Sequence, residues 1–381
     1  RNGIIDLLNS DVITTTEYKE VEFIGWLYQF YISDKKTEVF KGFKANKKAR
    51  PEDIPAATQI FTPKWIVKYM VENTVGKIYL DFDKASSLKP EMKYLAVNEA
   101  EETTHNSQLT IHNLEELTLI DPASGSGHIL VTGFELLFKM YREQGYTAKN
   151  AVISILQNNL FGLDIDDRAM QLARFAVLLK AAEFYPEVLK ASDNNLLLLP
   201  HIYSFPETHH FQLQELQSFL TPQGASYIIE LKEALAILNQ GKNIGAALKI
   251  ELSQEAHTFI TTRLHDWNNL ALAGTLDILQ QDLWNNLKPF LEVLLVMNKK
   301  YTAVVANPPY MGQKSMNAEL KNYVNDKYPL SKSDLFAVFM EVCLSMNASS
   351  GLMGMINQHS WMFLSSYEKL REHIIDNFGI V

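Results

Sequence analysis

Leu117-Thr118-Leu119-Ile120-Asp121-Pro122-Ala123-Ser124-Gly125-Ser126-Gly127, running straight into His128-Ile129-Leu130-Val131, decides the fold class of this chain. An apolar strand (Leu117 to Ile120) ends at a carboxylate, a tight glycine-rich turn follows, and a segment with helical period runs from His128 to about Met140. The unit then repeats, with a strand from Leu160 to Asp164 and a helix from about Asp166 to Phe184. Such βαβα alternation calls for an α/β fold with a parallel, doubly wound sheet. The pattern resumes with a strand at Ala303 to Ala306, a helix at 333–347, a strand at Leu352 to Asn357 and a helix at 366–376. Gly379-Ile380-Val381 reads as the start of one more strand, so the chain is expected to end inside its own fold.

Upstream, residues 1–55 read as the end of a helical region plus a basic connector. Val21, Ile24, Trp26, Leu27, Phe30 and Tyr31 are spaced for one buried face, and Lys41, Lys44, Lys47, Lys48 and Arg50 precede Pro51 and Pro55. Residues 56–185 form the first half of the sheet domain. Phe61-Thr62-Pro63 opens a helix to about Gly76, with Thr62 as N-cap, Pro63 in the first turn, and Ile66, Val67, Met70 and Val71 as its apolar stripe. Residues 81–116 are polar and irregular. Residues 186–298 read as a mainly helical insert, longer than one crossover needs, and 299–381 as the second half of the domain, incomplete at its C-terminus.

At 381 residues the chain is long enough for roughly two to three domains. With 47% apolar and 21% charged residues it is a globular chain rather than a disordered or fibrous one. No stretch approaches the roughly 18 apolar residues of a membrane helix, so no membrane contact is expected. One cysteine, Cys343, permits no internal disulfide and no thiolate-rich zinc site, which fits a reducing, cytoplasmic setting. A net charge of −9 excludes a chain-wide phosphate-binding surface, although the basic run at 41–50 is a local candidate.

The chemistry is carried by three constellations. In Asp121 to Gly127, glycines 125 and 127 remove side chains where backbone must approach a ligand, and the following helix offers free N–H groups. The spacing is not GxGxxG and no Lys-Ser/Thr follows, so neither a dinucleotide fingerprint nor a P-loop is present. Asp164, at the end of the next strand in Gly162-Leu163-Asp164-Ile165-Asp166, stands where α/β folds hold both hydroxyls of a ribose, while Asp166 reads as a helix N-cap. These two in order indicate a nucleoside cofactor. Third, a buried strand runs into Asn307-Pro308-Pro309-Tyr310. The diproline keeps the backbone extended and removes two donors, so the carbonyls of Asn307 and Pro308 are pure acceptors beside the Asn307 amide oxygen and the flat Tyr310 ring. Acceptors beside a stacking ring suit a planar exocyclic amine. Holding its two protons favours the pyramidal form, whose lone pair can attack an electrophile, with no strong base required.

The order Phe61-Thr62-Pro63, Asp121 to Gly127, Gly162 to Asp164, Asn307 to Tyr310, Ser333-Asp334-Leu335-Phe336 and Gly351 to Ile356 resembles motifs X, I, II, IV, V and VI of the γ-class DNA amino-methyltransferases. Trp26 to Phe30, Asp53 to Gln59, Phe61 to Met70 and Leu199 to Pro206 are similar, more closely, to the PglX family, the adenine-specific methyltransferases of BREX phage-defence systems. The resemblance covers most of the chain. It implies a Rossmann-like class I methyltransferase fold, S-adenosyl-L-methionine as cofactor, and N6 of a flipped adenine in double-stranded DNA as acceptor. By position it assigns Phe61, Thr62, Pro63, Asp121, Ala123, Gly125, Gly127, Asp164, Ile165 and Asn307 to the cofactor, and Asn307, Pro308, Pro309 and Tyr310 to catalysis. Asp334 would shape the pocket. The acid of motif III is unassigned, since its candidate region Pro200 to Phe205 has none. Most DNA contacts are expected outside this chain, and other BREX components are expected partners.

A nuclease is disfavoured because Glu17-Tyr18-Lys19 and Glu319-Leu320-Lys321 lack a preceding Pro-Asp. No metal site is expected, as His209 and His210 adjoin in a polar loop and no HExxH occurs. Cys343 has no Pro before it, which disfavours covalent cytosine chemistry. The remaining alternatives are an NPPY methyltransferase acting on RNA or protein glutamine, and a cofactor-sensing assembly subunit of the same defence system.

Overall fold

The computed structural model describes residues 22–60, 62–96, 111–190 and 198–380. Five parallel strands, β1 (Leu119–Asp121), β2 (Leu160–Asp164), β3 (His201–Ser204), β4 (Tyr301–Ala306) and β5 (Asn347–Met355), form one sheet in the order β3-β2-β1-β4-β5. This is the doubly wound, Rossmann-like α/β arrangement expected. All carboxyl ends lie along one edge, and the chain runs outward in opposite directions from β1 and β4. The crevice at such a switch point is where open α/β sheets take ligands.

Side chains alternate across the sheet as the two-residue period requires. Leu119, Leu160, Ile202, Ala303 and Val305 face one core with the helices His128–Glu143 and Asp167–Phe184 and the segment 64–82. Ile120, Phe161, Leu163, Val304 and Ala306 face a second core made with the helix Leu335–Met346 and the helices between β3 and β4. β4 is buried along its whole length, which explains why it reads as an unbroken apolar run. The helices between β3 and β4 pack on one sheet face, and β3 itself falls inside the 186–298 stretch. Its main helices are Leu213–Leu220, Ile228–Leu238, Gln254–Leu272 and Ile278–Asn298. Asp277 caps the last through a reciprocal box with Gln280.

Several sequence expectations change. On the helix Glu22–Lys44, Phe30 and Tyr31 are more than half exposed, whereas Tyr28 and Ile32, one turn apart, are buried against Ala169. The apolar spacing was real, but the face that meets the domain is set by the next residue round the helix. Val21 lies outside the described residues, as do Glu17 and Lys19. Thr62 is not an N-cap: Pro63, whose ring carries no acceptor, holds that position at the helix Lys64–Val71, and the Thr62 hydroxyl accepts from Asn307 instead. That helix does not stop at Gly76 but passes through a π-type turn, Glu72–Gly76, to Phe82. Gly379 and Ile380 are not in a strand. No helix among the described residues is long and apolar enough to cross a membrane.

Candidate active site

The glycine turn is tied to the end of β2. Gly125 N donates to Asp164 Oδ2 (2.8 Å), Asp166 N to Asp164 Oδ1 (2.8 Å), and Ser124 N to the Leu163 carbonyl (2.9 Å). Gly125 sits at φ +52°, and a Cβ there would meet only Gln59 Nε2 at 3.9 Å, so the turn faces open space. Gly127, at φ +85°, has a different task. Its Cβ would lie 2.9 Å from Ala173 Cα, so the missing side chain lets the helix His128–Glu143 close against Asp167–Phe184. One glycine opens the turn to a ligand, and the other seats the helix whose N-terminus borders it.

Beneath the turn lie two carboxyls. Burial pushes Asp121 up to about 8, against the N–H of Ala123 and with help from the charge of Asp164. Burial likewise pushes Asp164 up to about 6, against the N–H groups of Asp166 and Gly125. Asp166 is the N-cap expected, accepting from Arg168 N (2.9 Å). It also accepts from the Tyr28 hydroxyl (2.5 Å); burial acts to raise its pKa, but Tyr28 and Arg168 hold it below the usual carboxylate range.

Across the cavity, β4 ends at the diproline corner. Asn307 Nδ2 donates to the Ile60 carbonyl (3.1 Å) and to Thr62 Oγ1 (2.8 Å). Both amide protons being used, Asn307 Oδ1 is left buried with no donor among the described residues. No donor among the described residues engages the carbonyls of Asn307 or Pro308 either. The corner is held from behind: Ile356 N donates to the Ala306 carbonyl (3.3 Å), the Tyr310 hydroxyl to the Ile356 carbonyl (2.7 Å), and Met311 N to Asp334 Oδ1 (3.0 Å). The half-buried Tyr310 ring leans on Phe336, with centroids 5.9 Å apart, and burial raises its hydroxyl to about 12.

One cavity, about 1040 Å³ counting its open mouth, joins these parts. Thr62, Asp121, Ala123, Gly125, Asp164, Ile165, Asn307 and Pro309 line it. Pro63, Gly127, Pro308 and Tyr310 do not, and Phe61 lies outside the described residues. Sequence reasoning missed Tyr28, Gln29 and the segment Asn243 to Ala246, and named Phe205 only within the candidate region of motif III; all of these line the wall. Phe205 directly follows β3, in the stretch that lacks the motif III acid. In the insert, Gly245 at φ +63° brings its Cα so close that a Cβ would lie 2.8 Å from Ile165 Cγ2. The pair Gly241 and Gly245 inside a helical stretch was the available signal.

The other candidates are structural. His209 N donates to Asn239 Oδ1 (2.9 Å) and its ring packs on Phe211. Lys48 bonds the Lys314 carbonyl, and Arg50 pairs with Glu52 and Asp53, so part of the basic run is internally engaged. Cys343 is buried.

The family model of the Eco57I restriction-modification methylases matches residues 158–381. The chain is 38% identical over 96% of its length to an adenine-specific methyltransferase, BrxX, of Escherichia coli, and 36% identical over 97% to an adenine-specific methyltransferase, PglX, of Lacticaseibacillus casei. It spans 31% of the length of each of these curated relatives. A solved structure of the Type ISP restriction-modification enzyme LlaGI, a nuclease-deletion mutant with a DNA substrate mimic, overlaps 84% of this chain and 22% of its own at 15% identity and a TM-score of 0.41.

Proposed function

The chain belongs to the Eco57I restriction-modification methylase family, and from that premise we propose that it carries the catalytic domain of an enzyme that methylates N6 of adenine flipped out of double-stranded DNA, with S-adenosylmethionine as donor. The observation that carries this reading is the orphaned Asn307 Oδ1, buried at the end of β4 with its own amide protons already spent on Ile60 and Thr62. A buried acceptor without a donor costs free energy unless a ligand supplies one. An exocyclic amine supplies two.

The residues present fit S-adenosylmethionine. Gly125 leaves the turn open, Asp164 keeps carboxylate lone pairs beyond its two backbone bonds for ribose hydroxyls, and Ile165 and Phe205 give apolar wall for a purine. When bound, this cofactor supplies an electrophilic methyl group on a sulfonium. Everything else is the work of the chain's own groups. Asn307 Oδ1 and the Pro308 carbonyl accept the two N6 protons, which turns the nitrogen lone pair out of conjugation and stabilises the positive charge that grows as the N–C bond forms. Tyr310 offers its ring to the base, and its hydroxyl, tied to Ile356, holds that ring in place. The surplus proton passes from N6 to water after transfer, when the nitrogen is strongly acidic, so no basic side chain is needed at the corner.

The intact acceptor corner favours this reading over a purely cofactor-sensing subunit. The names of the relatives support adenine as the acceptor base. A role in BREX-type phage defence, cooperation with other components of such a system, DNA contact through regions beyond this chain and a cytoplasmic site of action belong to the same proposal. The test is sequencing of DNA for N6-methyladenine from cells carrying the gene, lacking it, or carrying Asn307→Ala. A modified motif present only with the intact gene is expected; identical DNA in all three overturns the reading.

A further inference from the structure

We propose that Met362-Phe363-Leu364 is a wedge that enters the DNA base stack beside the extruded adenine; this rests on the reading of the chain as a DNA adenine methyltransferase. The loop that carries these residues grows out of the catalytic corner. β5 runs parallel to β4 with Met355 in register with Ala306, and Ile356 is bonded on both sides, its N–H to Ala306 and its carbonyl to the Tyr310 hydroxyl. Trp361 turns inward and packs in the small core that Phe336 and Tyr310 share. The next three side chains turn out. Met362 and Phe363 are each 62% exposed and Leu364 46%, three large apolar residues in a row facing solvent.

This tip is stiff. Phe363 N and Leu364 N both donate to the Ser360 carbonyl, and Arg371 Nη1 clamps the turn from below by donating to the carbonyls of Trp361 and Leu364, each at 2.7 Å. The first acid after the tip is Glu368, at the start of the following helix. From Asn357 to Tyr367 there is no acidic residue, in a chain with 44, and the exposed His359 ring lies 5.4 Å from Phe363. Three residues are far fewer than the about 20–30 a side that a whole protein interface takes. They are the right size for one base step. Apolar wedges of Phe, Leu or Met are used to part stacked bases, and a flipped nucleotide leaves a gap that costs free energy until it is filled.

The experiment uses duplexes carrying the site identified by sequencing, with 2-aminopurine in place of the target adenine, and the purified protein as wild type and as Met362→Ala/Phe363→Ala. Expected are loss of the fluorescence rise on flipping and a fall in kcat/KM on matched duplex of about 10- to 100-fold, the scale of one lost stacking contact. Placing the target opposite an abasic site, which removes much of the flipping cost, should bring the variant to within about threefold of wild type. Cofactor affinity and Tm should be unchanged. A variant that flips and methylates like wild type, or whose defect persists on the abasic duplex, overturns the wedge alone. So does a lowered Tm with normal flipping, which would mean that protein covers the tip. Wild-type protein that methylates no adenine in DNA overturns the underlying function and the wedge with it.

Discussion

Asn307 Nδ2 donates to Thr62 Oγ1 across 2.8 Å, joining residues 245 positions apart in the chain. The bond fixes the orientation of the Asn307 amide, because an oxygen in that place could not donate to the Thr62 hydroxyl and the Ile60 carbonyl at once. Thr62→Val keeps the shape but removes this acceptor. We expect methylation to fall about 5- to 20-fold, the scale of one neutral hydrogen bond, with Thr62→Ser close to wild type. In the Asn307→Ala background Thr62→Val should add little, since the two act as a unit. Fully additive effects in methylation assays would remove the positioning role.

Asn307→Ala takes away the orphaned acceptor itself. The expected loss in kcat is about 10²- to 10³-fold, as when one preorganised charge-stabilising group is deleted. Calorimetric cofactor binding should change far less than turnover. A variant with near-normal kcat contradicts the catalytic assignment.

Asp164→Ala tests the other end of the cavity. Loss of a charged acceptor from ribose hydroxyls should weaken S-adenosylmethionine and S-adenosylhomocysteine alike by about 10- to 100-fold. Equal affinity by titration calorimetry would show that Asp164 serves only to brace Gly125 and Asp166.

Asp121, buried, and Asp164, half-buried at the cavity, give opposite pH trends for stability and ligand binding. Asp164 at about 6 and Asp121 at about 8 both lie above an unfolded carboxyl near 3.9, so the native protein keeps protons that the unfolded chain has released. Their contribution to stability is present below about pH 4 and is lost as pH rises through about 6 and about 8. Tm of the ligand-free protein should therefore fall across that window relative to Asp121→Asn, which removes the upper part of the slope. Cofactor affinity runs the other way, weakening as pH drops through about 6 and the Asp164 carboxylate protonates. Parallel Tm profiles for wild type and Asp121→Asn would refute the first trend, and pH-independent affinity between 5 and 7.5 the second.

Gly127→Ala should destabilise by about 2–4 kcal/mol, combining strain at φ +85° with a Cβ placed 2.9 Å from Ala173 Cα and Cβ. Ala173→Gly in the same chain should restore part of this in thermal melts, because it relieves the Cβ contact and leaves the backbone strain. No recovery would place the whole cost on the backbone.

The strand, turn and helix around Asp121 to His128 were legible in the sequence because each is a local device. The same holds for Asp164, whose place follows from the end of β2, and for Asn307, which must sit where an apolar strand meets two prolines. Phe30 and Tyr31 were misread for the same reason that the helix was read correctly. Periodicity reports that an apolar stripe exists, while what the stripe meets depends on where Asp166 and Ala169 come to lie. Tyr28 and Phe205 lie in segments that carry the family resemblance, but neither was singled out, and Gly245 had no motif, since each reaches the cavity from a different part of the fold.

The sequence alone determined the alternation of elements, the open glycine turn and a diproline corner without backbone N–H groups at residues 308 and 309, all of which follow from the conformational preferences of a few adjacent residues. Tertiary structure alone decided that Thr62 and Ile60 take both protons of the Asn307 amide and leave its oxygen buried without a donor among the described residues, and that Tyr28 and Asn243 to Ala246 join the wall. A hydrogen bond between side chains hundreds of residues apart depends on strand order and register. Those are set by how whole faces of the sheet bury their apolar residues together, a cooperative choice that no short stretch contains.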